Sequence, residues 1–228
     1  MPVIEIKNLT KVFGSNEVET HALRGIDLRI EPGEFTAIAG PSGSGKTTLL
    51  NIVGALDTPT GGTVLLEDRD ISHMTQAQQS NLRLHHLGFI FLAFNLIPVL
   101  SAMENVEFVM LLQRISKSER REKAMAILKD VGLAGMENKR PNQMSGGQQQ
   151  RVAVARAIVS GPKLVLADEP TANLDSTNGT ALLEMMKRLN LEKRVTFLFS
   201  THDKMVMNYS RRHVTLTDGK ITSDDLHE

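Results

Sequence analysis

Residues 40–47, Gly40-Pro41-Ser42-Gly43-Ser44-Gly45-Lys46-Thr47, match the pattern G-x-x-x-x-G-K-[ST]. Glycines let a backbone wrap closely round an anion with its N–H groups turned inward. A helix opening behind such a loop adds the partial positive charge of its N-terminus. The chemistry implied is a grip on a nucleotide polyphosphate. Lys46 would reach the β and γ phosphates, Thr47 would offer a hydroxyl to Mg2+, and Thr48 joins the same binding set. The bland alternative is a Gly/Ser turn carrying a surface lysine. Far downstream, the apolar run Leu164-Val165-Leu166-Ala167 ends in Asp168 and Glu169. Asp168 is suited to hold Mg2+ through water, and Glu169 to act as general base on an attacking water. Taken alone, the pair would read as a strand ending in a turn. His202 follows another apolar run, Val195 to Ser200, and could hold a γ-phosphate or the attacking water.

These residues need elements to position them. Val3 to Leu9 and His21 to Ile30 alternate apolar and polar side chains and predict strands, with Pro32-Gly33 as a turn. Glu34 to Ala39 predicts a buried strand leading into the glycine-rich loop, and Gly45 to Ala55 a helix leaving it. Thr63 to Leu66 predicts a strand, Thr75 to Leu84 a polar helix, and Leu87 to Phe91 a strand. Ser101-x-x-Glu104 and Ser116-x-x-Glu119 read as capping boxes, opening helices that end near Leu112 and Gly132. Alternation then resumes: strand Leu164 to Ala167, helix Ser176 to Leu189, strand Val195 to Ser200, and strand His213 to Thr217 before an Asp218-Gly219 turn. Strands alternating with helices predict an α/β fold with a largely parallel, doubly covered sheet. A helical insertion interrupts it from about residue 92 to residue 160.

Composition narrows the function classes. The 228 residues carry 26 Lys+Arg against 26 Asp+Glu and only 4% aromatics, without tryptophan. That is neither a phosphate-neutralising surface nor a base-stacking one, so no nucleic-acid partner is expected. With no cysteine, disulfides, thiolate metal sites and cysteine nucleophiles are excluded. The longest apolar stretch, Leu87 to Leu100, is broken by Asn95 and Pro98 and falls short of the ~20 residues a bilayer span needs. The opening MPVIEIKNL has no signal-peptide pattern. The adjacent pairs His85-His86 and Arg120-Arg121 are assigned no function.

At Met144-Ser145-Gly146-Gly147-Gln148 the chain resembles the LSGGQ signature of ABC-transporter ATPases, with Met in the Leu place. Gln149 to Ala157 (QQRVAVARA) and Asp168-Glu169-Pro170-Thr171-Ala172-Asn173-Leu174-Asp175 are similar to the same family, and His202 falls at its switch-histidine place. Ser145 is also a natural N-cap, a role compatible with the signature. The resemblance implies a P-loop NTPase ABC ATPase core, with a mostly parallel sheet, an N-terminal antiparallel β part and an inserted α-helical subdomain. The RecA-like ATP-binding core would comprise residues 1–91 and 161–228, and the helical signature subdomain residues 92–160. It implies ATP and Mg2+ as ligands. Two copies would pack head to tail, so that Ser145, Gly146, Gly147 and Gln148 of one close over the γ-phosphate on the other, with Asp175 in the connecting D-loop. Phe13 falls at the place of an aromatic ring that stacks on adenine; the other reading is a core phenylalanine.

Gly88-Phe89-Ile90-Phe91, Phe94-Asn95-Leu96-Ile97-Pro98 and Gln148-Gln149-Gln150 resemble the lipoprotein-releasing, macrolide-exporter and division-associated group. That resemblance implies a homodimer at the cytoplasmic face of the inner (cell) membrane, bound peripherally to a separate permease with few spans. The segment Leu92 to Leu112 would make the contact, and a periplasmic or outer-membrane partner stays open. The competing readings are a soluble ABC ATPase and an ATP-gated switch, neither coupled to transport.

One position departs from the family. Leu92 stands where the family carries the Q-loop glutamine, which senses Mg2+ and the attacking water; leucine can coordinate neither. Met144 for Leu is a milder change at near-constant volume. Nucleotide binding is expected to survive at Leu92, because residues 40–47 are intact, whereas hydrolysis or coupling slows. Leu92→Gln is therefore expected to raise turnover; equal ATP turnover in the two chains, alone and with the permease, would overturn this.

Overall fold

The computed structural model describes residues 1–14 and 19–227. The chain begins with strands β1 (Ile4–Phe13), β2 (Thr20–Ile30) and β3 (Phe35–Ala39), then helix α1 (Lys46–Val53). Strands β4 (Gly61–Leu66) and β5 (Arg69–Asp70) precede helix α2 (Gln76–His86) and strand β6 (Leu87–Ile90). Helices α3 (Ala102–Leu112), α4 (Lys117–Asp130) and α5 (Gly146–Ile158) follow without an intervening strand. The remainder alternates: β7 (Leu164–Asp168), α6 (Ser176–Lys193), β8 (Phe197–Thr201), α7 (Lys204–Tyr209), β9 (Arg212–Thr217) and β10 (Lys220–Leu226).

Two sheets form. The larger runs β10-β9-β3-β8-β7-β6, parallel from β9 to β6, with β10 added antiparallel through the Asp218-Gly219 turn. The smaller, β2-β1-β4-β5, is antiparallel. The expected α/β architecture, mostly parallel with an N-terminal antiparallel part, is what the chain adopts. Every residue of β3 and β8 is buried, as central parallel strands covered on both faces require. Strand alternation splits the core. Phe197, Phe199, Val165 and Ala167 face α3, α5 and α6, while Leu198, Leu164 and Leu166 face α1 and the antiparallel sheet. Val106, Met110, Leu128 and Val152 of the helical stretch belong to the same cluster as Phe35 and Phe199, so that stretch packs directly on the sheet.

Local chemistry explains the element ends. The Ser101 hydroxyl accepts the Glu104 amide at 3.2 Å, and Glu104 accepts the Ser101 amide at 2.8 Å, so this capping box closes. The Ser116 box closes on one side only. Ser116 accepts the Glu119 amide, but the Glu119 carboxylate pairs with Lys123 one turn on, at 2.7 Å. Strand β1 runs past Leu9 to Phe13, because register shifts around Asn8, whose φ is 46°, restart the pairing. Strand β8 begins at Phe197, two residues beyond the expected Val195, whose carbonyl accepts instead from the Asn190 side chain. The short elements β5 and α7 and the edge strand β10 carry little apolar pattern and were not expected.

One glycine sets how closely α5 can lie. A Cβ at Gly88 in β6 would stand 2.3 Å from the Ala157 carbonyl oxygen of α5, with Val165 behind it. Gly88→Ala is expected to push α5 off the sheet and to cost about 1–3 kcal/mol of overpacking strain. Denaturant unfolding checks this; an unchanged midpoint would contradict the close approach.

Candidate active site

The loop after β3 turns under severe crowding. A Cβ at Gly40 (φ 155°) would lie 2.1 Å from the Leu216 carbonyl, and one at Gly45 (φ 105°) 2.6 Å from the Ala22 carbonyl. Gly45 is the N-cap of α1, and no side chain caps that helix end, so its first amides are left for an anion. The Gly219 amide donates to the Ser44 carbonyl and the Arg24 amide to the Gly219 carbonyl, pinning the loop between β2 and the β9–β10 turn. Lys46 is buried, and its ammonium donates to the Gly40 and Pro41 carbonyls at 2.8 Å each. These are neutral partners that a phosphate would outbid.

Beside the loop lies a cavity of about 700 Å3. Pro41, Ser42, Gly43, Gly45, Lys46, Thr47 and Thr48 line it, as do Glu169 and His202. The two far-apart segments therefore meet here. Gly40 and Ser44 form the back of the loop; Ser44 is buried and its hydroxyl has no partner. Glu169 adopts a left-handed backbone (φ 47°), a strained conformation for a non-glycine. Its carboxylate accepts from the Thr201 hydroxyl (3.1 Å), the His202 amide (3.2 Å) and the His202 ring at Nδ1 (2.6 Å). Asp203 receives the Thr171 hydroxyl at 2.8 Å and caps α7, so the segment carrying His202 is tied to the one carrying Glu169.

Asp168 and Thr47 fit a hard cation. Thr47 Oγ1 stands 3.5 Å from Asp168 Oδ2, a weak hydrogen bond, and Asp168 Oδ1 is buried without a partner. Among the described residues no cluster of three or more His, Cys, Asp or Glu forms a cage. Two oxygens with room for water and phosphate suit Mg2+, which retains much of its hydration.

Part of the lining has no counterpart among the residues expected from sequence. Thr20, His21 and Arg24 of β2 line the same cavity, joined by Asp218 and by Ser200 of β8. The only sequence signal was the Asp218-Gly219 turn. Phe13 ends β1 opposite Thr20 and is 44% exposed, with the Lys11 ammonium 4.8 Å from its ring centroid. It is not a core phenylalanine.

Ser145, Gly146, Gly147, Gln148 and Asp175 do not line the cavity. Ser145 is exposed and caps α5 in a reciprocal box with Gln148 (2.9 and 3.3 Å). A Cβ at Gly147 would stand 3.0 Å from the Asn178 side-chain oxygen, a tight contact; Asp175 caps the Asn178 amide at 2.9 Å, and that hydrogen bond holds the Asp175 pKa below its usual value. The Gln150 amide nitrogen ties α5 to the Pro170 carbonyl, just past Glu169. The loop holding Leu92 is strapped by its own carbonyls. Asn173 donates to Leu92 O at 2.8 Å, and Arg156 of α5 donates to Phe94 O (2.8 Å) and Asn95 O (2.5 Å). Phe94 and Asn95 are both left-handed (φ 58° and 49°). Leu92 itself is 42% exposed. Arg156 is desolvated, which lowers its pKa. It also lines a second, mostly apolar groove of about 570 Å3 with Leu56, Leu84, Phe91 and Leu112. Leu96 turns toward the core and Asn105 holds Ile97 by its amide and carbonyl, so the large exposed apolar groups of this region are Leu92, Val99, Leu111 and Leu112 rather than Leu96 and Ile97.

The family profile described as ABC transporter matches residues 23–172. The uncharacterized ABC transporter ATP-binding protein MJ1508 of Methanocaldococcus jannaschii is 48% identical over 219 residues, 96% of this chain and 97% of that protein. The macrolide export ATP-binding/permease protein MacB of Mannheimia succiniciproducens is 44% identical over 224 residues; the match takes in 98% of this chain but 35% of MacB. The dimeric structure of a post-hydrolysis state of the ATP-binding cassette MJ0796, bound to ADP and Pi, superposes with a TM-score of 0.89 at 41% identity, covering 99% of both chains.

Arg156→Ala removes two charge-assisted hydrogen bonds of about 1.5–3 kcal/mol each. The amides of Phe94 and Asn95 are expected to exchange with solvent faster while α5 keeps its protection; unchanged exchange at Phe94 and Asn95 would contradict the strap.

Proposed function

The chain belongs to the ABC transporter family of ATP-binding domains, and from that premise we propose that it is the ATP-driven motor of a membrane complex, pairing head to tail with a second copy. It is an ATP hydrolase of that family. The observation carrying the fuller reading is one cavity that gathers residues 41–48, Glu169 and His202, while the signature end of α5 stands outside it, exposed. A site laid out in this way is complete only when another surface closes it.

In this reading the amides of residues 40–47 and the start of α1 receive the phosphates, and Lys46 leaves its two carbonyls for the β and γ groups. Thr47 and Asp168 hold Mg2+, which neutralises phosphate charge when bound. Phe13 stacks on adenine at the rim. Ser145, Gly146, Gly147 and Gln148 of the second copy cover the γ-phosphate, and Asp175 sets the D-loop between the two sites. Glu169 takes the proton of the attacking water, and His202, hydrogen-bonded to it, holds the transferred phosphate. Residues 92–160 act as the helical signature subdomain against a core of residues 1–91 and 161–228. The groove flanked by Leu112 and Arg156 receives a permease with few spans at the cytoplasmic face of the membrane. The cargo class is lipoprotein release or macrolide- or peptide-type export, as the similarity to MacB supports. Leu92, whose side chain has no polar atom to offer the site, favours as a second reading an ATP-gated switch with slow turnover.

Glu169→Gln keeps the shape of the carboxylate but cannot take a proton. It is expected to bind ATP, to lose about 10²–10⁴-fold in hydrolysis, and to elute as a dimer with ATP and a monomer without it. Purification of the wild-type chain from gently solubilised membranes is expected to recover a few-span permease. Recovery of soluble partners alone, even after crosslinking, would overturn the transport reading.

A further inference from the structure

Strand β8 is apolar except at its end, where Ser200 precedes Thr201. Ser200 is 1% exposed, and its hydroxyl has no hydrogen-bond partner among the described residues. Its carbonyl is already used, accepting the Glu169 amide at 2.9 Å. An unpaired buried hydroxyl is unfavourable, and packing alone would select an apolar residue here. Ser200 is the register partner of Asp168 on the adjacent parallel strand. It lies on the same strand face as Leu198, the face toward α1, and Asp168 shares a face with Leu164 and Leu166, which also turn toward α1. Ser200 lines the phosphate cavity together with Thr47. Ser200 and Asp168 are thus register partners on the same face of neighbouring strands, which run about 4.8 Å apart, and each carries a buried oxygen, Ser200 Oγ and Asp168 Oδ1, without a partner among the described residues.

We infer that Ser200 is a further positioning residue for hydrolysis: its hydroxyl and Asp168 Oδ1 together hold a water of the divalent cation's shell. This pair compensates in part for Leu92, whose side chain offers no polar atom to the cation or its waters. The inference rests on the proposed nucleotide site and concerns how the chain's own residues seat the cation there.

The test compares wild type with Ser200→Ala and Ser200→Thr. Binding of a fluorescent, non-hydrolysable ATP analogue is titrated with Mg2+ and repeated in EDTA, and thermal unfolding is followed without ligand. Ser200→Ala is expected to bind the analogue in EDTA as wild type does. Its Mg2+ half-saturation should rise by about 10–100-fold, the range for lost outer-shell partners of a metal. Its ligand-free Tm should hold or rise by about 2–4 °C, since an unpaired polar group has gone. Ser200→Thr, which keeps the hydroxyl, should restore the Mg2+ response. A purely structural hydroxyl would instead lower Tm and leave the Mg2+ response alone. An unchanged Mg2+ half-saturation in Ser200→Ala, or an equal loss of binding in EDTA, overturns the inference while leaving the proposed function standing. Absence of any Mg2+-dependent binding in the wild type overturns both.

Discussion

The structure turns on how tightly residues 40–47 are folded at the end of β3. Backbone carbonyls of Ala22 and Leu216 press on the loop where glycines 45 and 40 stand, at distances no side chain tolerates. The loop's own carbonyls are taken up by Lys46 and by the Gly219 amide. With these carbonyls satisfied by side-chain and distant backbone donors, loop amides are left for an anion. The antiparallel sheet and the β9–β10 hairpin serve this loop directly, and β3 can present it only because the strand is buried on both sides.

The same geometry gathers the remaining chemistry. In a parallel sheet all strands end on one edge, and side chains at those ends converge without any long excursion of the chain. β3 delivers the loop, β7 delivers Asp168 and Glu169, and β8 delivers Ser200, Thr201 and His202. Adjacent registers then set the pairs: Asp168 beside Ser200, with Glu169 held by Thr201 and His202 one step beyond. Strand alternation assigns each residue its side. Asp168 and Ser200 share the strand face of Leu166 and Leu198, toward α1 and away from the helices on the other face.

Helix α5 connects this edge to the second groove. Its N-terminal Ser145 lies exposed, Gln150 reaches the turn after Glu169, and Arg156 near its C-terminal end holds the loop that carries Leu92. One helix therefore makes contact with the Leu92 loop near one end and with the turn after Glu169 nearer the other. The three consecutive glutamines at 148–150, read in sequence as a mark of a subgroup, do three separate mechanical jobs: capping Ser145, bonding Met144 O and bonding Pro170 O.

What was legible in the sequence is what local spacing encodes. The glycine pattern of 40–47, the capping serines at 101 and 145, the buried runs before Ala39 and Asp168, and the α/β alternation each state their structure within a few residues. The identities of Lys46, Asp168, Glu169 and His202 as chemical groups were equally plain. The one-sided cap at Ser116 was not, because Lys123 competes for Glu119. Nor was the part of the cavity lined by Thr20, His21 and Arg24, nor Arg156 as the strap of the Leu92 loop, nor Ser200 as an unpaired hydroxyl. Those depend on contacts between residues far apart in the chain, which leave no periodic or spacing signal. Sequence alone marked which groups are suited to chemistry and on which elements they ride. Only the tertiary structure decided which of them meet, because that is set by strand order and register, and these follow from burial of the whole core rather than from any one segment.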